Sequence, residues 1–273
     1  MSDVNLNNSD KKKRSSKSKL TEENPFDQLL KDQGVMRPSW KNKGSEAKAL
    51  AKPISKSILD LKSAFIKSNS KGILVGRTVL LDCNIEQANL LTQTFFGRFG
   101  RKEGNDIWWF EFTLEEAFYL CFSLKCIKIV GGDGSVKTDN ELWEYMICQD
   151  VAFPDVFKAY AHLRDKNWVV TRGGQYGADF VAYRHHPSLV HSECAVLVLS
   201  EKKADRLRVW SDYECMLREC DGVVKTLLVL YVNRNDEKMI ASSPSCLEGY
   251  GVDERTVTRW WSAERRREDQ AAM

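Results

Sequence analysis

The strongest constraint in this sequence is LLVLYV at residues 227–232, its longest unbroken apolar run. The run falls far short of the roughly 20 residues a membrane-spanning helix needs. It also lacks polar alternation, so it reads as a fully buried strand. Such a strand needs apolar company, and the neighbouring sequence supplies it. ECAVLVLS (193–200), NWVV (167–170) and ADFVAY (178–183) read as further strands. PDVFKAYAHLRDKN reads as a helix, with Phe157, Tyr160, Ala161 and Leu163 at near-helical spacing. SDYECMLREC reads as a second helix, opened by Ser211 and Glu214 as a capping box, with a strand as the alternative. Residues 153–270 are therefore expected to form a mixed α/β domain of ordinary size.

The first half has its own pattern. GILVGRTVLLD alternates and predicts a strand pair, and NIEQANLLTQTFFGRFG predicts an amphipathic helix ending at glycine. IWWFEF predicts a strand, and Thr113 with Glu116 predicts a capping box for a helix over LEEAFYLCFSLKC. The fold class is thus α+β: a small N-terminal α+β domain over 38–130, a linker at 131–152 opening on the GGDGS turn, and the larger domain. GGDGS lacks GxxxxGK[ST], so it is not read as a phosphate loop.

Residues 1–37 show no hydrophobic periodicity and are expected to be a disordered tail carrying the basic block KKKRSSKSK at 11–19. A KKKR block suits a nuclear import signal or an electrostatic RNA arm. MSDVNLNNSD contains no apolar leader run, so no secretory signal is read. The net charge of +3 is a weak pointer to nucleic acid. Eight cysteines occur without CxxC pairs, several inside apolar stretches, which suits reduced thiols better than a disulfide framework.

The most chemically dense stretch is RGGQYGADFVAYRHHPSLVH (172–191). His185, His186, His191 and Cys194 match no tetrahedral zinc spacing, and adjacent histidines point apart on an extended chain. Asp179 with Glu201 and Lys203 has the layout of a Mg²⁺-dependent nuclease, although EKK reads more simply as a solvated charge run. The remaining option is metal-free RNA cleavage by the substrate's own 2′-OH. It needs a base, an acid and a cation. Histidine suits the acid, with an unperturbed pKa of about 6.5. Tyrosine suits the base only if a cation such as a nearby lysine draws its pKa down from about 10. The step from Tyr176 to Tyr183, fully extended, covers roughly 23 Å, which puts the two at opposite strand ends. Tyr183 and His191 flank one loop and can meet across a phosphate. Lys225 opens the buried strand, where a strand-edge lysine snorkelling to water is the simplest reading.

AYAHLRDKNWVVTRGGQYGADFVAYRHHPSLVHSECAVLVLS, followed by the strand that begins DGVVKTLLVLYV, strongly resembles the catalytic domain of the tRNA-splicing endonuclease (tRNA-intron endonuclease) family, most closely its large 5′-site subunit. The resemblance implies a restriction-endonuclease-like catalytic fold, with Tyr183 as general base, His191 as general acid and Lys225 as stabiliser of the pentacoordinate phosphorane. It implies a bulged nucleotide gripped between Arg218 and Trp261, with Trp260 as the adjacent alternative. It also implies no cofactor, precursor tRNA as substrate, a nuclear location, and a heterotetramer with another catalytic and two non-catalytic subunits. The polar loop NRNDEKMIASSPSCLEGYGVDE (233–254) is the expected partner contact.

Overall fold

A computed structural model describes residues 52–101, 108–200, 206–207, 209–234 and 243–257. The expected tail at 1–37, Glu201, Lys203, Trp260 and Trp261 lie outside the described residues. Helix α1 (Ile54–Ser68) starts directly after Pro53, whose missing N–H costs nothing at a helix start. The predicted strand pair follows as β1 (Lys71–Val75) and β2 (Thr78–Cys83). Helix α2 (Ile85–Thr94) is opened by an Asn84–Gln87 capping box. It ends at Phe95 in the left-handed conformation, φ 55°, before the glycine expected to stop it.

Strands β3 (Arg98–Arg101), β4 (Trp108–Thr113) and β5 (Lys128–Val130) complete a sheet in the order β3-β4-β2-β1-β5, in which only β1 and β5 run parallel. Along β4, Trp108, Phe110 and Phe112 are buried while Trp109 and Glu111 are only partly covered, the period-two signature of a half-buried strand. The Thr113–Glu116 capping box forms as expected, but its helix is short: α3 (Leu114–Phe118) passes into a π-helical turn at Tyr119–Ser123.

The segment expected as a linker carries helix α4 (Asp139–Gln149), opened by a Thr138–Glu141 capping box. Its Trp143 is buried 5.4 Å from the Phe118 ring and 5.6 Å from Phe153, so this part of the chain contributes to the core. Phe153 belongs to α5 (Phe153–Asp165), the helix predicted from its spacing.

Strands β6 (Val169–Arg172), β7 (Phe180–Tyr183), β8 (Cys194–Leu199), β9 (Thr226–Arg234) and β10 (Tyr250–Val257) form the second sheet, ordered β10-β9-β8-β7-β6. Only β8 and β9 are parallel, and helix α6 (Trp210–Gly222) lies between them in sequence. This explains the continuous apolar runs. One face of β8 and β9, with Ala195, Leu197, Leu227 and Val229, packs against Cys220, Met216 and Leu217 of α6. Val196, Val198, Leu228 and Leu230 alternate to the other face, where α5 crosses β8 and β9.

Helix α6 begins before the expected Ser211–Glu214 box: the Asp212 carboxylate accepts from the Val209 N–H instead. The expected loop 233–254 is in part strand. Tyr250–Val257 is β10, an edge strand whose solvent side accounts for its polar sequence. Among the described residues, no helix is long and apolar enough to cross a membrane.

The two sheets are joined by a buried cation. Arg164 of α5, 1% exposed, donates to Tyr160 Oη at 2.9 Å, to the Phe95 carbonyl at 3.0 Å and to the Thr94 carbonyl at 3.4 Å. Its guanidinium lies 4.0 Å from the centre of the Phe96 ring.

Candidate active site

The second sheet gathers three of its strands at one end. Ala182 of β7 pairs with Cys194 of β8, and Cys194 pairs with Thr226 of β9. The next residues outward continue the row. The Glu193 N–H donates to the Ala182 carbonyl at 3.0 Å, and the Thr226 N–H donates to the Glu193 carbonyl at 2.8 Å. Tyr183, Glu193 and Lys225 therefore stand level across adjacent strands. By strand alternation Lys225 shares the face of Leu227 and Val229, the face covered by α6. His191 is exposed on the loop that runs from Tyr183 into β8. The elements thus bring the three triad positions to one rim of the sheet.

Each position is held by a different local device. The His191 loop is pinned by His186, 5% exposed, whose Nε2 donates to the Thr92 carbonyl of α2 at 2.9 Å. That fixes the tautomer, leaving Nδ1 to accept from Ser188, at 3.2 Å from its N–H and 2.5 Å from Oγ. The ring also meets Phe95 edge-on at 5.2 Å. His185 Nε2 lies 3.1 Å from the Lys52 carbonyl. The two loop histidines therefore clamp the loop onto the first half of the chain, with His186 turned inward.

Lys225 follows the C-terminus of α6 in a Schellman arrangement. Its N–H donates to the Cys220 carbonyl at 2.8 Å, and the Val224 N–H to the Asp221 carbonyl at 3.1 Å. The left-handed position of this motif, usually glycine, is Val224 at φ 52°, and it is 89% exposed. A β-branched residue there is a backbone outlier.

Tyr183 is half-buried, and burial pushes its phenol above the ordinary tyrosine value, with the nearby Tyr176 phenol adding to the shift. Hydrogen bonds from Thr171 and Ser192 act in the opposite direction. The lysine that was expected to lower this pKa sits elsewhere: Lys225 Nζ lies 4.6 Å from the centre of the Tyr176 ring.

Tyr176 therefore does not lie at the far end of the site, as a fully extended chain would require. Strand β7 is only four residues long, and Gly174–Tyr176 is a 3-10 turn that folds back toward the sheet. Three glycines in RGGQYG were the signal available in the sequence. Thr171, Ser192 and His186 carried no comparable signal, because tertiary contact alone makes them neighbours of the site.

The other expected residues are placed as follows. Arg218 is on the solvent side of α6 and donates to Cys215 Sγ at 3.5 Å. Strand β10, the last described element before Trp261, ends at Val257 opposite Leu227, at the Lys225 end of the sheet. Asp179 Oδ2 accepts from the Val198 N–H and from Arg206, both at 2.8 Å, so it ties β7 to β8 and to the turn. Among the described residues, no three His, Cys, Asp or Glu side chains gather to hold a metal ion.

The tRNA intron endonuclease catalytic C-terminal domain matches residues 153–240, and the N-terminal domain of the same family matches residues 70–143. The Arabidopsis thaliana protein "tRNA-splicing endonuclease subunit Sen2-1" is 50% identical over 237 residues, covering 86% of this chain and 99% of that relative. The chain belongs to the tRNA-splicing endonuclease family. The Gallus gallus Sen2 subunit is 30% identical over 58% of this chain and 36% of its own length. A Saccharolobus solfataricus tRNA-splicing endonuclease is 30% identical over 47% of this chain and 73% of its own. The first sheet lies within the N-terminal match, and β6 to β9 of the second sheet, with Tyr183 and Lys225, lie within the catalytic match.

Proposed function

We propose that this chain is the catalytic subunit that cuts precursor tRNA at the 5′ splice site. The observation that carries the reading is the row at the end of β7, β8 and β9, where Tyr183 and Lys225 stand level beside the pinned loop bearing His191. Tyr183 takes the proton from the 2′-OH, whose oxygen attacks the neighbouring phosphorus. Lys225 stabilises the charge that builds on the phosphorane. His191 gives a proton to the departing 5′-oxygen as the P–O bond breaks. The products are a 2′,3′-cyclic phosphate and a 5′-OH. The substrate's own hydroxyl is the nucleophile, so the scheme requires no cofactor. Burial holds the Tyr183 pKa above its ordinary value, so general-base action by this phenol calls for a cation close to it in the assembled, RNA-bound complex.

Arg218 and Trp261 would hold a flipped base between guanidinium and indole, a contact typically worth about 1–3 kcal/mol per base. The partners in this reading are one other catalytic and two non-catalytic subunits, with the region around 233–254 as a contact surface. The KKKR block would serve nuclear entry.

The test is cleavage by a reconstituted complex containing His191→Ala or Lys225→Ala in this chain. Each variant is expected to lower 5′-site cutting by about 10²- to 10⁴-fold while the 3′ cut continues. Unchanged 5′ cutting would make this chain a scaffold. Loss at the 3′ site instead would reassign its specificity.

A further inference from the structure

We infer that Tyr176 is a positioning residue of this site, whose aromatic face holds the Lys225 ammonium in place for the phosphate. The inference rests on the reading that Tyr183, His191 and Lys225 carry the cleavage.

A lysine in this role must meet one requirement. To stabilise a phosphorane, its charge must be available when the RNA arrives. A carboxylate partner would orient the ammonium but neutralise it. An aromatic face attracts the cation through its quadrupole and leaves both the charge and the N–H donors for the substrate. The structure provides the second arrangement. Lys225 Nζ is 4.6 Å from the centre of the Tyr176 ring and 3.3 Å from the Val223 carbonyl. Among the described residues it forms no ion pair. The Schellman motif fixes the backbone end of the side chain, and the ring fixes the ammonium end.

The turn carrying Tyr176 is built to reach that position. Tyr176 N–H donates to the Gly173 carbonyl at 2.8 Å, closing the 3-10 turn. A Cβ on Gly173 would meet the Phe180 carbonyl oxygen at 2.7 Å, so a side chain is excluded where the turn crosses β7. Gly177 ends the turn at φ 63°, and Arg206 donates to its carbonyl. The same guanidinium grips Asp179, so the turn is tied to the strand it folds over. Tyr176 is also within electrostatic reach of the Tyr183 phenol. One ring therefore contacts Lys225 and acts electrostatically on Tyr183.

The experiment is single-turnover cleavage of precursor tRNA by the reconstituted complex, with this chain carrying changes at position 176. Tyr176→Phe keeps the face and is expected to cut at a rate close to wild type. Tyr176→Leu removes the face and is expected to lower the saturating single-turnover rate constant by about tenfold, with the half-saturating concentration of complex little changed. Para-cyanophenylalanine at position 176 preserves packing but draws electrons from the ring, and is expected to fall between Phe and Leu. A merely structural role would leave it equal to Phe. In a Lys225→Ala background, Tyr176→Leu is expected to add no further loss. The inference is overturned if Leu matches wild type, if Phe is as damaging as Leu, or if the cyano ring behaves as Phe does. Normal cutting by Lys225→Ala alone would instead sink the underlying reading. An inactive Lys225→Ala beside a fully active Tyr176→Leu would sink only the inference.

Discussion

Arg164→Met is expected to cost this chain a large part of its stability. The guanidinium is 1% exposed and supplies good hydrogen bonds to Tyr160 Oη and the Phe95 carbonyl, with a longer one to the Thr94 carbonyl. Methionine fills much of the volume over the Phe96 ring but offers no donors. Each buried acceptor left without a donor costs about 1–3 kcal/mol. The change also removes a cation whose charge favours the ionised form of Glu116, a partly buried carboxylate accepting from the Thr113 and Gly97 N–H groups. With two close acceptors and one more distant one orphaned, the expected loss is about 3–5 kcal/mol, against a usual total of about 5–15 kcal/mol.

The same site sets a pH signature. Burial raises the Glu116 pKa, and Arg164 lowers it. Without the arginine, the folded-state pKa rises further above the unfolded value. A group with a raised folded pKa stabilises fully below its unfolded pKa, and that stabilisation is lost as pH climbs through the folded pKa. The deficit of Arg164→Met should therefore be smaller at pH 5 than at pH 8. Urea unfolding of wild type and variant at both pH values measures this directly. A loss below about 1 kcal/mol, less than a single orphaned buried acceptor costs, would refute the reasoning. So would a deficit that does not change with pH.

Two further substitutions test the devices that hold the site. Val224→Gly relieves a β-branched residue at φ 52° and should stabilise the chain by about 1 kcal/mol, raising Tm by roughly 2–4 °C in a melt; a lower Tm would show that the Schellman geometry is unstrained. His186→Leu removes the bonds to Thr92 and Ser188 and should cost about 1–3 kcal/mol. It should also slow 5′ cutting by loosening the His191 loop, and full activity with full stability would dismiss the clamp.

Much of the catalytic sheet was legible because its residues obey local rules. AVLVL and LLVLYV are apolar at every position because β8 and β9 are covered on both faces. Thr113 and Glu116 sit at capping-box spacing, and the box forms. Thr138 and Glu141 have the same spacing, so helix α4 could have been found within the segment assigned to a linker. Strand β10 was hidden by its polar side chains, since an edge strand with one wet face resembles a loop in sequence.

The family resemblance pointed to Tyr183, His191 and Lys225 together, and the register of β7, β8 and β9 brings Tyr183 and Lys225 level. The position of Tyr176 was not visible. Reasoning from extended chain length fails where a 3-10 turn shortens the path and reverses it. The Tyr183 environment was equally out of reach, because Thr171 and Ser192 come from separate elements. Burial, which only the packed structure reveals, decides the direction of its pKa.

The central claim is that this chain cuts RNA by using the substrate's 2′-OH, with Tyr183, His191 and Lys225 moving the protons and bearing the charge. The most direct measurement is end-group analysis of the 5′-site products of the assembled complex, made with and without EDTA. The account predicts 2′,3′-cyclic phosphate and 5′-OH ends, formed equally fast in the chelator. A 5′-phosphate and 3′-OH at that site, or cutting that stops when EDTA is added, would contradict it.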